Sequence, residues 1–266
     1  MSRNIIRTLV PGLVLAWSGL AAAANGLPWS SDFESGDRRE WNGDSHGTVN
    51  IVQTPDAPSG NRAARVNLRS GTTNDNFLGH HFGDFATERG DKVEEIWLTL
   101  SSKFDEGYRF PSRESHKIAI FNLTDGRSWT RRYQVYLWVN SRGEYAIDTS
   151  NIATWDFNGL YQNKGTPAKV RFGEWDKLKM HVKLNRPGRS DGVIKLWVNG
   201  ELKLEHNNVN IRGNDNYGIN KLILSSYTSD SSGGSGTQWY DAWTLSEEDP
   251  DAGKAPPSAP VLRKVQ

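Results

Sequence analysis

The segment WDKLKMHVKLN, residues 175–185, decides the fold class. Its apolar and basic residues alternate, the apolar set being Leu178, Met180, Val182 and Leu184 and the basic set Lys177, Lys179, His181 and Lys183. Successive side chains of a β-strand point to opposite faces, so this order gives one apolar and one basic face. A helix would distribute the lysines around its axis. The segment therefore predicts a strand that covers a hydrophobic core with one side.

The same two-residue period recurs along the chain, and helical periodicity is almost absent. Many short strands separated by turn residues are typical of an antiparallel sandwich or barrel. The other predicted strands are Thr48–Gln53, Ala63–Leu68, Phe77–Phe82, Glu94–Phe104, His116–Leu123, Arg131–Val139, Glu144–Thr149, a hairpin over Val193–Glu205, Ile219–Tyr227 and Thr237–Ser246.

The hairpin turns at Asn199–Gly200. A two-residue turn would pair Val198 with Glu201 and mix apolar with charged side chains on each face. A three-residue loop with the glycine in the left-handed conformation pairs Leu196 with Leu202 and keeps the faces separate. We expect this bulged, three-residue form.

Residues 1–24 predict an export signal. Arg3 and Arg7 precede an apolar run over residues 9–20, and four alanines follow at 21–24. Basic, apolar and small residues in this order are typical of a secretory signal, and the run is short for a membrane span. We expect a secreted or periplasmic protein with no membrane contact after cleavage.

The rest of the chain predicts one β domain over residues 25–247 and a flexible tail over 248–266. The tail is rich in proline, alanine and charge and has no periodic apolar face. A domain of this length buries a core without disulfides, and the chain contains no cysteine. Thiolate metal sites and cysteine catalysis are therefore excluded.

The charge balance argues against a nucleic-acid partner. The chain has 32 basic and 31 acidic residues, a formal net charge of +1, so any site for a polyanion must be local. Eleven tryptophans supply aromatic surface, and exposed aromatic rings stack on sugars. We expect a monomer.

The segment WTRRYQVYLW, residues 129–138, predicts a binding face for acidic sugars. Alternation places Thr130, Arg132, Gln134, Tyr136 and Trp138 on one side of the strand. A guanidinium group binds a carboxylate with two parallel hydrogen bonds, amides and hydroxyls bind ring hydroxyls, and aromatic rings act as platforms.

Two further strands carry histidines. His116 and Lys117 open an apolar strand and point to opposite faces, and an unpaired lysine is costly to bury, so one face should be functional. His80 and His81 diverge and cannot chelate one metal ion. We expect His81 to reach the binding face. Solvated strand ends are the alternative in both places.

Carboxylates near both ends of the domain suggest a calcium site. Glu34 lies within DFESGD, residues 32–37, and Asp241 closes WYD, residues 239–241. If the first and last strands meet, these oxygens bind Ca²⁺ together with backbone carbonyls. Ordinary turn carboxylates are the alternative.

Several segments, taken in order, resemble a known family: His116-Lys117, WTRR (129–132), Trp175, VKLNRPG (182–188), Asp191-Gly192, WVNG (197–200) and WYD (239–241). They resemble the concanavalin A-like jelly-roll polysaccharide lyases, especially families 14 and 20, the alginate and glucuronan lyases. The resemblance covers nearly the whole mature domain and implies an all-β sandwich of two antiparallel sheets.

The resemblance also implies site residues. Lys117 corresponds to the strand-opening lysine of the family, and Thr130 and Arg132 correspond to its Ser-x-Arg pair. Tyr145 corresponds to the first tyrosine of a Tyr-x-Tyr pair, and Ile147 stands in the place of the second.

The implied chemistry is β-elimination at a uronate. The proton beside the carboxylate is weakly acidic, so its removal requires a neutralised carboxylate; Arg132, helped by Lys117 or Gln134, is expected to supply this. The candidate bases are His116, His81 and Tyr145, and the candidate proton donors are Tyr136 and Tyr145. No cofactor is required, so calcium would be structural.

Two other functions remain open. A non-catalytic carbohydrate-binding module or lectin explains the same aromatic and arginine face, because one fold hosts many functions. A glycoside hydrolase is disfavoured, because the sequence lacks a Glu-x-Asp-x-x-Glu strand that would bring two carboxylates together.

Overall fold

A computed structural model describes residues 25–85, 92–112, 116–125, 132–228 and 234–253. Within these ranges the chain forms β-strands and one 3₁₀ turn at Gly83–Phe85. The strands are β1 (Trp29–Ser31), β2 (Ser45–His46), β3 (Asn50–Gln53), β4 (Arg62–Leu68), β5 (Asn74–His81), β6 (Glu95–Phe104), β7 (His116–Thr124), β8 (Arg132–Val139), β9 (Tyr145–Asn151), β10 (Asp156–Leu160), β11 (Trp175–Lys183), β12 (Gly192–Val198), β13 (Glu201–Val209), β14 (Ile219–Thr228) and β15 (Gly236–Ser246).

The strands form two antiparallel sheets. An eight-stranded sheet has the order β13-β12-β11-β6-β15-β4-β3, with β1 paired to β15. A seven-stranded sheet has the order β10-β9-β8-β7-β14-β5-β2. Non-consecutive neighbours such as β7 and β14 show that the chain crosses repeatedly between the sheets. This arrangement confirms the predicted all-β jelly-roll sandwich. No helix in the described ranges has the length and hydropathy to cross a membrane.

The core lies between the two sheets, and β11 contributes as its alternation predicts. Leu178, Met180 and Val182 are each no more than 1% exposed, and they pack in the main apolar cluster. Full burial of one such side chain contributes about 1.5–3 kcal/mol. The basic face points outward, where Lys183 pairs with Glu95 at 2.9 Å.

The predicted three-residue hairpin loop is wrong. Val198 pairs with Glu201, so the turn has two residues, and both Asn199 (φ 52°) and Gly200 (φ 84°) take left-handed conformations. This is the pattern of the tight turn that matches the twist of paired strands. A register shift between Leu196 and Trp197 then places Leu196 opposite Leu204, and this shift separates the apolar face of the hairpin from the charged one. The bulge thus stands in the strand and not in the turn.

Three strands were not predicted: β1, β2 and β10. Each is short, and β2 and β10 form the two edges of the seven-stranded sheet. An edge strand packs fewer side chains into the core, so its sequence carries little apolar alternation. The sequence of β10, DFNGL, has mostly exposed residues and illustrates this.

Candidate active site

The seven-stranded sheet has an outer face, opposite the core, and β8 lies near its centre. Val135, Leu137 and Val139 belong to the main core, so the alternate residues Gln134, Tyr136 and Trp138 point the other way. The last two pack in a separate apolar cluster with neighbours from β7, β9 and β14, namely Ile120, Ala146 and Ile223. This is the face that the alternation of residues 129–138 predicts. Thr130 lies outside the described residues.

Lys117 reaches the outer face because β7 contains a bulge. Ile118 and Ala119 are consecutive, yet both belong to the main core. The register with β8 shifts between Lys117 and Ala119. A bulge inserts one residue and re-aims the side chains on one side of it. Lys117 consequently pairs with Trp138 and shares its face.

The Lys117 ammonium group lies between two aromatic rings. Its Nζ is 5.2 Å from the ring centroid of Tyr136 and 4.8 Å from that of Tyr227. A cation within about 6 Å of an aromatic face is held by the charge distribution of the ring. Lys117 is therefore positioned on the outer face and half-buried.

A second charged group stands beside this lysine. Tyr136 pairs across the strands with Asp148 of β9, and its hydroxyl lies close enough to the carboxylate for each group to shift the pKa of the other. Burial raises the pKa of Asp148, whereas the neighbouring Tyr136 hydroxyl and the charge of Lys117 act in the opposite direction. Burial, and then the nearby charge of Asp148, raises the pKa of Tyr136, which therefore keeps its proton.

Arg132 and Gln134 lie further along β8. Arg132 pairs with Thr124 at one end, whereas Lys117 pairs with Trp138 at the other. Six residues of β-strand separate the two positions, which is about 20 Å. The expectation that Lys117 helps Arg132 to neutralise one carboxylate therefore does not match the geometry. Between them, Gln134 donates a hydrogen bond of 2.8 Å to Asn122.

The outer face is less exposed than the sequence suggests. Gln134, Tyr136 and Trp138 are 6%, 4% and 8% exposed. Neighbouring side chains cover these three residues. Lys117 and Asp148 are more exposed and are half-buried.

The structure places two predicted proton-transfer residues in the interior. His116 is fully buried, with Nδ1 2.8 Å from the Tyr108 hydroxyl and Nε2 bonded to Gln238. Burial lowers its pKa to about 4. Tyr145 is 1% exposed, donates a hydrogen bond of 2.7 Å to Asp176, and its pKa is raised well above its usual value by burial. Neither side chain is on the outer face, so we leave both out of the site.

His81 is on the outer face but far from Lys117. It pairs with Lys221, which pairs with Asn122, which pairs with Gln134. Its Nε2 faces Asp44 at 3.5 Å, and burial lowers its pKa. With neighbouring strands about 4.8 Å apart, His81 serves a different part of the face.

The predicted calcium residues approach one another. Asp241 is fully buried in β15, and its pKa is raised to about 6 by burial and, to a smaller extent, by the charges of Asp32 and Glu34. Both carboxylates already accept backbone hydrogen bonds: Asp241 from Ser59 at 2.7 Å and Glu34 from the turn at 61–62. In the described ranges no group of three or more His, Cys, Asp or Glu residues has the geometry to hold a metal ion. Calcium stays a prediction.

Sequence reasoning missed Asp148 and Tyr227. Asp148 is the one acidic residue of β9, YAIDTSN, and alternation places it opposite the inward-pointing Ile147. A single carboxylate directly after the apolar residues Tyr145, Ala146 and Ile147 was the available signal. Tyr227 had no comparable signal, because its approach to Lys117 depends on how β14 pairs with β7.

The comparisons with known proteins agree with this architecture. A family model described as polysaccharide lyase matches residues 33–244. No curated protein matches significantly.

Solved structures of three lyases are similar to this chain. An endo-β-1,4-glucuronan lyase from the fungus Trichoderma reesei is 16% identical, with 84% of this chain and 95% of that chain covered and a TM-score of 0.57. A marine alginate lyase from Aplysia kurodai is 12% identical, with 84% and 99% covered and a TM-score of 0.60. The alginate lyase Aly36B is 11% identical, with 82% and 96% covered and a TM-score of 0.55. At these identities the likeness shows a common fold.

Proposed function

The chain belongs to the polysaccharide lyase family, and from this premise we propose that it cleaves a uronate-containing polysaccharide by β-elimination on the outer face of the seven-stranded sheet. Lys117, Tyr136 and Asp148 form the reaction centre in this proposal. Arg132 and Gln134 bind sugars further along the same chain.

The observation that carries the proposal is the meeting of a cation with a tyrosine–aspartate pair. Lys117 Nζ lies 5.2 Å from the centroid of the Tyr136 ring, and Asp148 is the cross-strand partner of Tyr136 on the same face. β-Elimination needs one group to neutralise the uronate carboxylate and one to move a proton. These three side chains supply both within one small area.

In the proposed reaction Lys117 pairs with the carboxylate of the sugar and stabilises the negative charge that develops on it. The Tyr136 oxygen takes the C5 proton as its own proton passes to Asp148, whose raised pKa favours acceptance. The C4–O bond breaks as the C4=C5 double bond forms. Tyr136 then gives its proton to the departing oxygen and recovers one from Asp148, so the protons balance.

The proposed substrate is alginate or glucuronan. Both are acidic polymers, and they are the substrates named for the similar solved lyases. A basic residue at the reaction centre and Arg132 further along β8 match a polymer that carries one carboxylate on each sugar.

A second function, carbohydrate binding without cleavage, is favoured by one observation. His116 and Tyr145, two of the residues that the sequence analysis offered for proton transfer, are in the interior. If Tyr136 does not replace them, the same face binds a polyuronate and leaves it intact.

The test is an assay on purified protein with alginate and with glucuronan. The double bond of the product absorbs ultraviolet light, so β-elimination is followed directly, and reducing ends report total cleavage. We expect absorbance to rise with wild type and kcat/KM to fall about 10²- to 10³-fold in Lys117→Ala. Lys177→Ala, an exposed lysine on the other sheet, is the matched control.

The alternatives give different results in the same assay. Reducing ends without absorbance indicate a hydrolase, and binding without either signal indicates a lectin. Either outcome contradicts the lyase proposal.

We also propose export and a structural calcium ion. N-terminal sequencing of protein recovered outside the cytoplasm should find cleavage near residues 22–24.

Calcium chloride should raise the melting temperature relative to a chelator, since a cation relieves repulsion among Asp32, Glu34 and Asp241. An unchanged melting temperature argues against the ion.

A further inference from the structure

An exposed aromatic edge adjoins the proposed active face. Trp155, Phe157 and Tyr161 are 70%, 53% and 54% exposed, and they lie in or beside β10. In the described ranges only one other large hydrophobic side chain, Phe172, is comparably exposed. Large exposed apolar groups are costly to leave in water, and their concentration in one place marks a binding surface.

The edge is continuous with the outer face. Phe157 pairs with Ser150, which pairs with Gln134 of β8. At the other end the ring centroid of Tyr161 is 6.1 Å from that of Trp138. The backbone N–H of Asn158 donates a hydrogen bond of 2.9 Å to Asp148, so β10 is tied to the reaction centre.

The turn that carries Trp155 is locally ordered. Trp155 has φ 56°, a left-handed conformation that is uncommon for a bulky residue and occurs where the surrounding structure imposes it. Hydrogen bonds order the turn before β10, from the Thr154 hydroxyl to Asp156 at 2.6 Å and from Ala153 N–H to Asn151 at 3.0 Å.

A second observation points to a ligand at the same edge. The indole N–H of Trp138 is buried and has no hydrogen-bond acceptor among the residues described. Trp138 and Tyr161 line a shallow cavity of about 400 Å³ together with Asn140, Ser141 and Arg142. A buried donor without an acceptor is unfavourable, and a sugar oxygen in this cavity would satisfy it after a small side-chain movement.

We infer that Trp155, Phe157 and Tyr161 form an aromatic rim that stacks on sugar rings of the polysaccharide beyond the bond that is cleaved. The inference rests on the proposed function for its ligand. Aromatic faces bind the C–H faces of pyranose rings, whichever acidic sugar is present. A rim outside the reaction centre makes the enzyme act on long chains in preference to short ones.

The experiment compares binding and cleavage in the variant Trp155→Ala/Phe157→Ala/Tyr161→Ala. Electrophoresis in gels that contain alginate or glucuronan measures binding without any need for cleavage. We expect the affinity of the variant for the polymer to fall about 10-fold or more. A loss of this size corresponds to at least one stacking contact. The ratio of KM for the polymer to KM for a trisaccharide should rise by a similar factor. Phe172→Ala, an exposed phenylalanine elsewhere, is the matched control.

Two results would overturn the inference. In one, the triple variant binds the polymer as wild type does. In the other, light scattering shows a wild-type dimer that the variant converts to a monomer, which assigns the rim to a second copy of the chain. If wild type binds but releases no unsaturated product, the lyase proposal fails and the rim is still tested by the gels.

Discussion

Two tyrosine–aspartate pairs lie on opposite faces of the sheet formed by β8 and β9. Tyr136 of β8 is the cross-strand neighbour of Asp148 on the outer face, and Tyr145 of β9 donates a hydrogen bond to Asp176 of the other sheet across the core. Both tyrosines are almost fully buried, and both have raised pKa values. The two pairs differ in the groups that surround each aspartate.

The aspartate of the inner pair has several hydrogen-bond donors besides the tyrosine. Asp176 also accepts hydrogen bonds from Arg171 Nε at 2.7 Å and from the Asn199 amide at 2.7 Å. Asp148 accepts a backbone N–H from Asn158 and has the Lys117 charge nearby. A carboxylate with several hydrogen-bond donors is a structural link, whereas a half-buried carboxylate beside a cation on the outer face is available for proton transfer.

The largest expected effect is on catalysis by the outer pair. Tyr136→Phe removes the hydroxyl that moves the proton and should lower kcat about 10²- to 10⁴-fold. Ultraviolet absorbance of the unsaturated product measures it. Tyr133→Phe, which loses a hydroxyl bonded to Asp215, is the matched control. Equal losses in both variants would remove the distinction between the faces.

The next effect is on stability and belongs to the inner pair. Asp176→Ala leaves Arg171 and Tyr145 without their shared acceptor and should cost about 3–5 kcal/mol. Asp148→Ala should cost less, because that carboxylate is only partly buried. Urea unfolding curves of the two variants compare them. A larger loss for Asp148→Ala would reverse the assignment.

The third prediction concerns pH and the inward-pointing neighbour of Lys117. His116 has a pKa of about 4 in the folded protein, below its ordinary 6.5. The unfolded chain therefore binds a proton first as pH falls, and stability declines between about pH 6.5 and 4, on the order of 3 kcal/mol. His116→Gln should flatten this decline relative to wild type. The difference between the two profiles isolates His116 from Asp241, whose raised pKa has the opposite sign.

The smallest effect comes from a single hydroxyl in the core. Tyr145→Phe should lower the free energy of unfolding by about 1–3 kcal/mol, because Asp176 loses one of several donors. The activity of the protein that remains folded should be close to that of wild type. Melting temperature and kcat measured on the same preparation test both statements. A fall in kcat comparable to that of Tyr136→Phe would restore Tyr145 to the reaction centre.

Alternation predicted the strands that carry the core, because buried faces demand apolar side chains at every second position. The segment at 175–185 and the outward set Gln134, Tyr136 and Trp138 show this. Alternation did not predict the edge strands β2 and β10, because an edge strand is only partly buried and its sequence is less constrained. The resemblance assigned Tyr145 to the site, but Tyr145 pairs with the core residue Val139 and therefore points inward, which only the pairing of the strands shows.

The sequence by itself determined the all-β class, the apolar and polar faces of the long strands and the absence of cysteine chemistry. These depend on residue type and on the order of neighbours along the chain. Tertiary structure alone decided that a bulge brings Lys117 onto the outer face, that Asp148 meets Tyr136 and that His116 is buried. Register and bulges result from the packing of distant strands against one another, and no local pattern of residues encodes them.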